Sequence, residues 1–212
     1  GKAYSLFKKF YNTKSVTQVT KKGTYTMLER FFTIVGYDRN IADTTLNDLL
    51  DIKNQITELP NSNYHPYIKM SFTELLKVKM TPEHMKLTDS RVKDYIKVIK
   101  MFYQFCFRNQ IISFNPSLDL TVTVSTQKKL PFSDEEVRAL ISIVDEIPNG
   151  TKYLYLSYIY SGMRREELFN CTIQTDSNGI LYFDITKGKN SSSIRRVPVH
   201  KTLVELGLNN AV

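Results

Sequence analysis

The 212-residue chain is short of the features that mark several large protein classes. It has two cysteines, Cys106 and Cys171, each in an apolar context, which excludes a disulfide-stapled secreted scaffold and points to reduced thiols. Its three histidines, His65, His84 and His200, show no metal-ligand spacing with one another or with the cysteines, so no metal or other cofactor is expected. No glycine-rich loop is present to cradle nucleotide phosphates. No apolar run approaches the roughly 18 residues that a membrane span needs. The opening Gly1-Lys2-Ala3-Tyr4 lacks the layout of a signal peptide.

What the chain does have is enough apolar content for a core, 42%, and an excess of positive charge, +8 at pH 7. The excess is uneven. Lys and Arg outnumber Asp and Glu by 18 to 11 through Gln127, but only by 11 to 10 afterwards. Such asymmetry suits a first module that grips a polyanion, nucleic acid before membrane surface, joined to a nearly neutral second module. A basic surface without a specific partner would give the same count.

Hydrophobic spacing predicts a mainly helical first part. Residues 4–11 read as a helix. Thr24 to Val35 reads as a second, with Gly36 as its stop and Lys21, Lys22 and Thr24 at a start where free N–H groups could hold a phosphate. Thr44-Thr45 can cap a third helix running toward Leu59-Pro60. A short helix is expected around Phe72–Val78. The clearest helix follows Thr88-Asp89-Ser90: Val92, Ile96, Ile99, Tyr103 and Cys106 form its buried stripe, while Lys93, Lys97 and Lys100 share an exposed face. That face is either merely solvated or docked on phosphates.

Residues 119–131 read as an extended linker with a basic end at Lys128-Lys129. Ser133 and Glu136 form a capping box for a helix whose stripe is Val137, Leu140, Ile141 and Val144. After a break at Pro148-Asn149-Gly150 comes a very apolar helix, expected to be buried on most sides. Ser161-Gly162 turns the chain into another helix. Residues 180–199 read as a β-hairpin around a turn of Lys, Gly, Asn and Ser.

Ser161-Gly162-Met163-Arg164-Arg165-Glu166-Glu167-Leu168 carries the most chemistry. Arg164 starts a helix, and Glu167 three positions on can fix its guanidinium, an arrangement suited to a phosphate. In the hairpin, Lys187 and Lys189 are placed to reach a substrate groove and protonate a leaving oxygen. Arg195-Arg196-Val197-Pro198-Val199-His200 completes the return. Taken singly, the arginine box is equally an ordinary helix start, and the lysine turn an ordinary solvated loop.

In this order, these segments resemble the tyrosine recombinase (phage integrase) family, weakly before residue 88 and well beyond it. The resemblance implies an α+β fold, mainly α with a small antiparallel hairpin or sheet. A helical, SAM-like core-binding domain at 1–120 and a linker at 121–131 would precede the opening part of a catalytic domain at 132–212. It also implies a reaction: a tyrosine attacks the scissile phosphodiester, leaving a 3′-phosphotyrosyl link and a free 5′-hydroxyl, without metal or nucleotide. Arg164 aligns with the first transition-state arginine and Glu167 with the acidic residue behind it. The turn lysine aligns with the general acid, with Lys187 ranked ahead of Lys189. Lys21, Lys22, Thr24, Lys93, Lys97, Lys100, Lys128 and Lys129 are the DNA-binding candidates.

The family's His-x-x-Arg box and nucleophilic tyrosine have no counterpart here: His200 is followed three residues later by Leu203, and no tyrosine follows Tyr182. The chain is therefore expected to be a fragment of a mobile-element recombinase. It would bind duplex DNA without cleaving it and act in the bacterial cytoplasm at the nucleoid, the full-length protein assembling as a tetramer on its sites. The alternative is a non-catalytic, sequence-specific DNA-binding protein.

Overall fold

The computed structural model describes residues 2–81, 85–123, 130–188 and 191–208. The chain divides into two units, Gly1–Gln127 and Lys128–Val212. It is mainly helical, with a small antiparallel sheet confined to the second unit.

In the first unit the helices are α1 (Lys2–Asn12), α2 (Gln18–Val35), α3 (Leu46–Thr57), α4 (Phe72–Leu75) and α5 (Asp89–Arg108). Their starts are fixed by side-chain caps. Thr17, Thr45, Ser71 and Thr88 each accept a hydrogen bond from the backbone three residues on, and Asp48 and Glu74 return one to complete capping boxes. Helix α5 is the central element. Its Phe102 is fully buried and meets Phe7, Phe32 and Tyr103 edge-on. Phe31, Leu28, Leu49 and Ile56 fill in around it. Aromatic rings met edge-on place positive edges on negative faces, which fixes ring orientation as well as filling volume.

Two expectations change here. Helix α2 begins at Gln18, earlier than Thr24, because Thr17 rather than a later residue supplies the cap. The Lys21 N–H is therefore already bonded to the Thr17 carbonyl, at 3.0 Å, and is not free for a phosphate. Asp119 and Leu120, the first residues of the expected linker, belong instead to a turn closed by the Leu120 N–H on the Ser117 carbonyl, and Leu120 is buried in the helical core.

In the second unit, α6 (Asp134–Ser142) starts on the Ser133–Glu136 capping box and runs into a short 3-10 segment. Then come α7 (Asn149–Ser161), α8 (Arg165–Asn170), strands β1 (Thr172–Thr175), β2 (Leu181–Ile185) and β3 (Arg195–Pro198), and α9 (Lys201–Glu205). The sheet order is β1-β2-β3, with Ile173 opposite Phe183 and Phe183 opposite Val197. Phe183 and Ile185 send their side chains into a core shared with Leu156, Met163, Val199 and Leu203.

The 180–199 hairpin is present, but β1 turns it into a three-stranded sheet. Helix α7 starts at Asn149, directly after Pro148, so Asn149-Gly150 opens the helix rather than separating two. Its apolar residues are mostly half-buried; among those described, Leu156 and Ser157 are the buried ones. The α6 stripe is likewise shallow: Val137 and Ile141 are half-buried, Leu140 is exposed, and Val144 alone is buried.

Candidate functional site

The conformation of Gly162 sets up the arginine site. It ends α7 in the left-handed region, at φ 62°, and its N–H closes on the Tyr158 carbonyl. The chain then extends through Met163, which is buried, and Arg164 becomes the residue that opens α8.

The Glu167 carboxylate lies at the centre of the site and is 4% exposed. One oxygen accepts from the Arg164 backbone N–H at 2.9 Å and from Arg195 Nη2 at 3.0 Å. The other accepts from Arg164 Nη1 at 2.7 Å and from Arg195 Nη1 at 3.2 Å. A carboxylate can accept about four hydrogen bonds, and this one does. Arg cannot supply the acceptor of a capping box, so Glu167 alone caps α8. Its charge is held down to a pKa of about 2, chiefly by the Arg195 hydrogen bonds, then by the Arg164 N–H and guanidinium, against the opposing effect of desolvation.

The Arg164 side chain is 74% exposed although its Nη1 is tied down, so a fixed guanidinium faces open space. It lines an open cleft of about 520 Å³ together with Arg165, Glu166, Asn170, Lys187 and Gly188. Lys187 is exposed two residues beyond the end of β2. A Cβ on Gly188 would lie 2.2 Å from Ser193 Cβ, so the chain passes here only because the residue is glycine, which fixes where Lys187 leaves the strand. Lys189 lies outside the described residues. A second concavity beside Arg164 is lined by Gly162, Ser192, Ser193 and Arg195. Sequence reasoning passed over Arg195. The available signal was its place in a strand beside the arginine box, but nothing local distinguishes it from Arg196, which instead leans over Tyr182 and toward Asp184.

In the first unit, a groove of about 410 Å³ runs between α2 and α5, lined among others by Val19, Thr20 and Gly23 on one side and Arg91 and Lys97 on the other. Lys93 and Lys97 are exposed and have no carboxylate partner among the described residues. Lys22 is exposed on α2. The other candidates differ. Lys21 Nζ donates to the Asn12 carbonyl, closing the end of α1, and Lys100 Nζ donates to the Leu118 and Leu120 carbonyls, holding the turn after α5. Thr24 is buried and its hydroxyl donates to Tyr11 Oη. Lys128 and Lys129 lie outside the described residues.

Known proteins are similar to the chain in sequence and in fold. The chain is 28% identical over 185 residues to the tyrosine recombinase XerD of Oceanobacillus iheyensis, covering 82% of this chain and 60% of that protein. In sequence the chain is thus similar to a tyrosine recombinase. Its fold matches that of a lambda integrase dimer bound to a core site, with a TM-score of 0.63, 12% identity, and coverage of 93% of this chain and 58% of that one. It also matches the Tn1549 transposon integrase in complex with transposon right end DNA, with a TM-score of 0.61, 15% identity, and coverage of 99% and 64%. No family model matches the chain. The recombinase-like segment thus spans about 60% of the curated relative's length.

Within the described residues, no cluster of His, Cys, Asp or Glu could hold a metal ion, and no helix is long and apolar enough to cross a membrane.

Proposed function

We propose that the protein serves site-specific DNA recombination: it binds duplex DNA at recombination sites, and in the full-length protein strands are cut and rejoined through a 3′-phosphotyrosyl link. The observation that carries this reading is the exposed Arg164 guanidinium, locked by buried Glu167, at a cleft that Lys187 also lines. In the pentavalent transition state, charge builds on the non-bridging phosphate oxygens. A donor fixed before the reaction stabilises that charge without reorganising during it. Arg164 supplies such donors. Lys187, at the mouth of the same cleft, is the general acid that protonates the leaving 5′-oxygen. Glu167 touches no substrate and holds Arg164.

DNA lies along the first unit, with exposed Lys93 and Lys97 on phosphates and the α2–α5 groove against the duplex. The lambda and Tn1549 integrase structures named above are bound to a core site and to transposon right end DNA, which supports this partner. The 212 residues by themselves bind DNA without cleaving it, and the full-length protein acts as a tetramer on paired sites, in the bacterial cytoplasm at the nucleoid. The domain division is proposed as core-binding 1–120, linker 121–131 and catalytic 132–212.

The test is a nicked suicide duplex carrying the recombination site, incubated with the full-length protein. Covalent protein–DNA adduct is expected from the wild type. Arg164→Ala should lower adduct formation by about two to three orders of magnitude, the usual cost of losing one oxyanion donor, while a gel shift changes little. Adduct formation unaffected by Arg164→Ala would remove Arg164 from the site. Binding without any adduct from the wild type would favour the non-catalytic DNA-binding reading.

A further inference from the structure

We propose that Arg195 is a positioning residue for this reaction: from β3 it orients and neutralises Glu167, so that Arg164 faces the phosphate as a net cation. The proposal rests on the recombinase reading above.

Arg195 meets Glu167 with two nearly parallel N–H···O bonds, 3.2 and 3.0 Å, the fork-on-fork arrangement that fixes both planes. Its Nη1 also donates to the Ser193 carbonyl at 3.2 Å, tying the guanidinium to the end of the lysine turn. Arg164 reaches Glu167 with one guanidinium nitrogen only. The carboxylate is thus aimed by Arg195, and Arg164 is aimed by the carboxylate. Glu167 on helix α8, whose start Arg164 opens, and Arg195 on strand β3 are joined at this point although they lie 28 residues apart in sequence.

The charge balance leads to the same conclusion. With Arg164 as its sole partner, buried Glu167 would cancel the guanidinium, leaving a neutral pair facing an anionic substrate. Two arginines around one carboxylate leave one positive charge in surplus, and the more exposed member of the trio, Arg164, presents it. An arginine rather than a lysine suits the role, since a single ammonium cannot bond both oxygens in plane. The other charged groups around the carboxyl are Arg165 and Glu166 on α8, which pair with each other, and Lys187 after β2.

Two measurements test the proposal, with Arg195→Gln and Arg195→Lys. In the 212-residue chain, the Glu167 carboxyl is followed by carbon-detected NMR through an acid titration. The wild type should stay ionised down to about pH 2; Arg195→Gln should titrate at clearly higher pH, and Arg195→Lys between the two. An unchanged titration in Arg195→Gln overturns the proposal. In the full-length protein, Arg195→Gln should slow cleavage roughly ten- to hundredfold, as when a group that orients a contacting residue is lost, with DNA affinity changed less than about twofold. It should also add an acid limb to the pH–rate profile, which a merely structural loss would not do. Arg195→Lys should recover part of the rate. If Arg195→Gln fails to fold, Arg195→Lys carries the test: it keeps the charge but loses the fork, so a wild-type rate and profile overturn the proposal. Cleavage absent from the wild type overturns the recombinase reading and this proposal with it. Normal wild-type cleavage with an unmoved Arg195→Gln profile overturns the role of Arg195 alone.

Discussion

A single carboxylate decides much of the second unit's chemistry. Glu167 is almost fully enclosed yet stays charged, because three N–H donors from guanidinium groups and one from the backbone replace the water it lost. Its folded-state pKa, about 2, lies below the ordinary value of 4.5. A lowered pKa means that the ionised form favours the folded state. That contribution is fully present above about pH 4.5 and is lost as pH falls through 2. Glu167→Gln should therefore lower the melting temperature most near neutrality, and the gap from wild type should shrink between pH 4.5 and 2 in acid melts. A gap independent of pH would show that shape, not charge, holds the site. Cys106 shows the opposite case. With no partner to offset burial, its thiol is pushed up to about 12, so it should resist a disulfide reagent at pH 8 until the chain unfolds. Half-buried Cys171 should react first.

Elements show where local sequence suffices and where it does not. The starts of α3, α5 and α6 were readable because Thr45, Thr88 and Ser133 cap regardless of what surrounds them. The start of α2 was not: the apolar stripe becomes legible only near Tyr25, and Val16, Thr17 and Val19 are β-branched, yet Thr17 caps and the helix begins at Gln18. Strand β1 was missed because Thr172–Thr175 is four residues long and only Ile173 among them turns toward a core; its pairing with β2 creates it. Helix α7 looked buried because its composition is apolar, whereas burial depends on neighbours that composition does not reveal. The Arg164–Glu167 pair is a local i,i+3 contact and was visible, while Arg195 arrives from 28 residues away and was not. Two glycines carry element-level predictions. Gly162→Ala forces a left-handed residue to carry a Cβ, costing about 1–2 kcal/mol, though the space itself is open; chemical denaturation should report it. Gly188→Ala meets Ser193 at 2.2 Å, so the turn must shift. Cleavage by the full-length protein should then fall more than DNA affinity, because Lys187 moves and the first unit does not.

At the scale of the whole molecule, the question is whether the positive charge works as a total or as a placement. Net charge +8 attracts any polyanion, and a diffuse attraction would respond equally to the removal of any two cations. Placement predicts otherwise. Lys21 and Lys100 hold backbone carbonyls within the first unit, so fewer of its cations are available to DNA than the count suggests. Lys93 and Lys97 are exposed one turn apart on α5, with Lys97 at the groove's edge. If each contacts a phosphate, the double variant Lys93→Ala, Lys97→Ala should weaken binding to duplexes of any sequence. It should also reduce the slope of log affinity against log salt by roughly 1.8, about 0.9 for each contact. The matched control is Lys69→Ala with Lys79→Ala, two exposed lysines of the same unit that remove the same charge. Its slope should stay close to wild type. Equal losses from the two pairs would return the first unit to a generally basic surface and remove α5 from the interface.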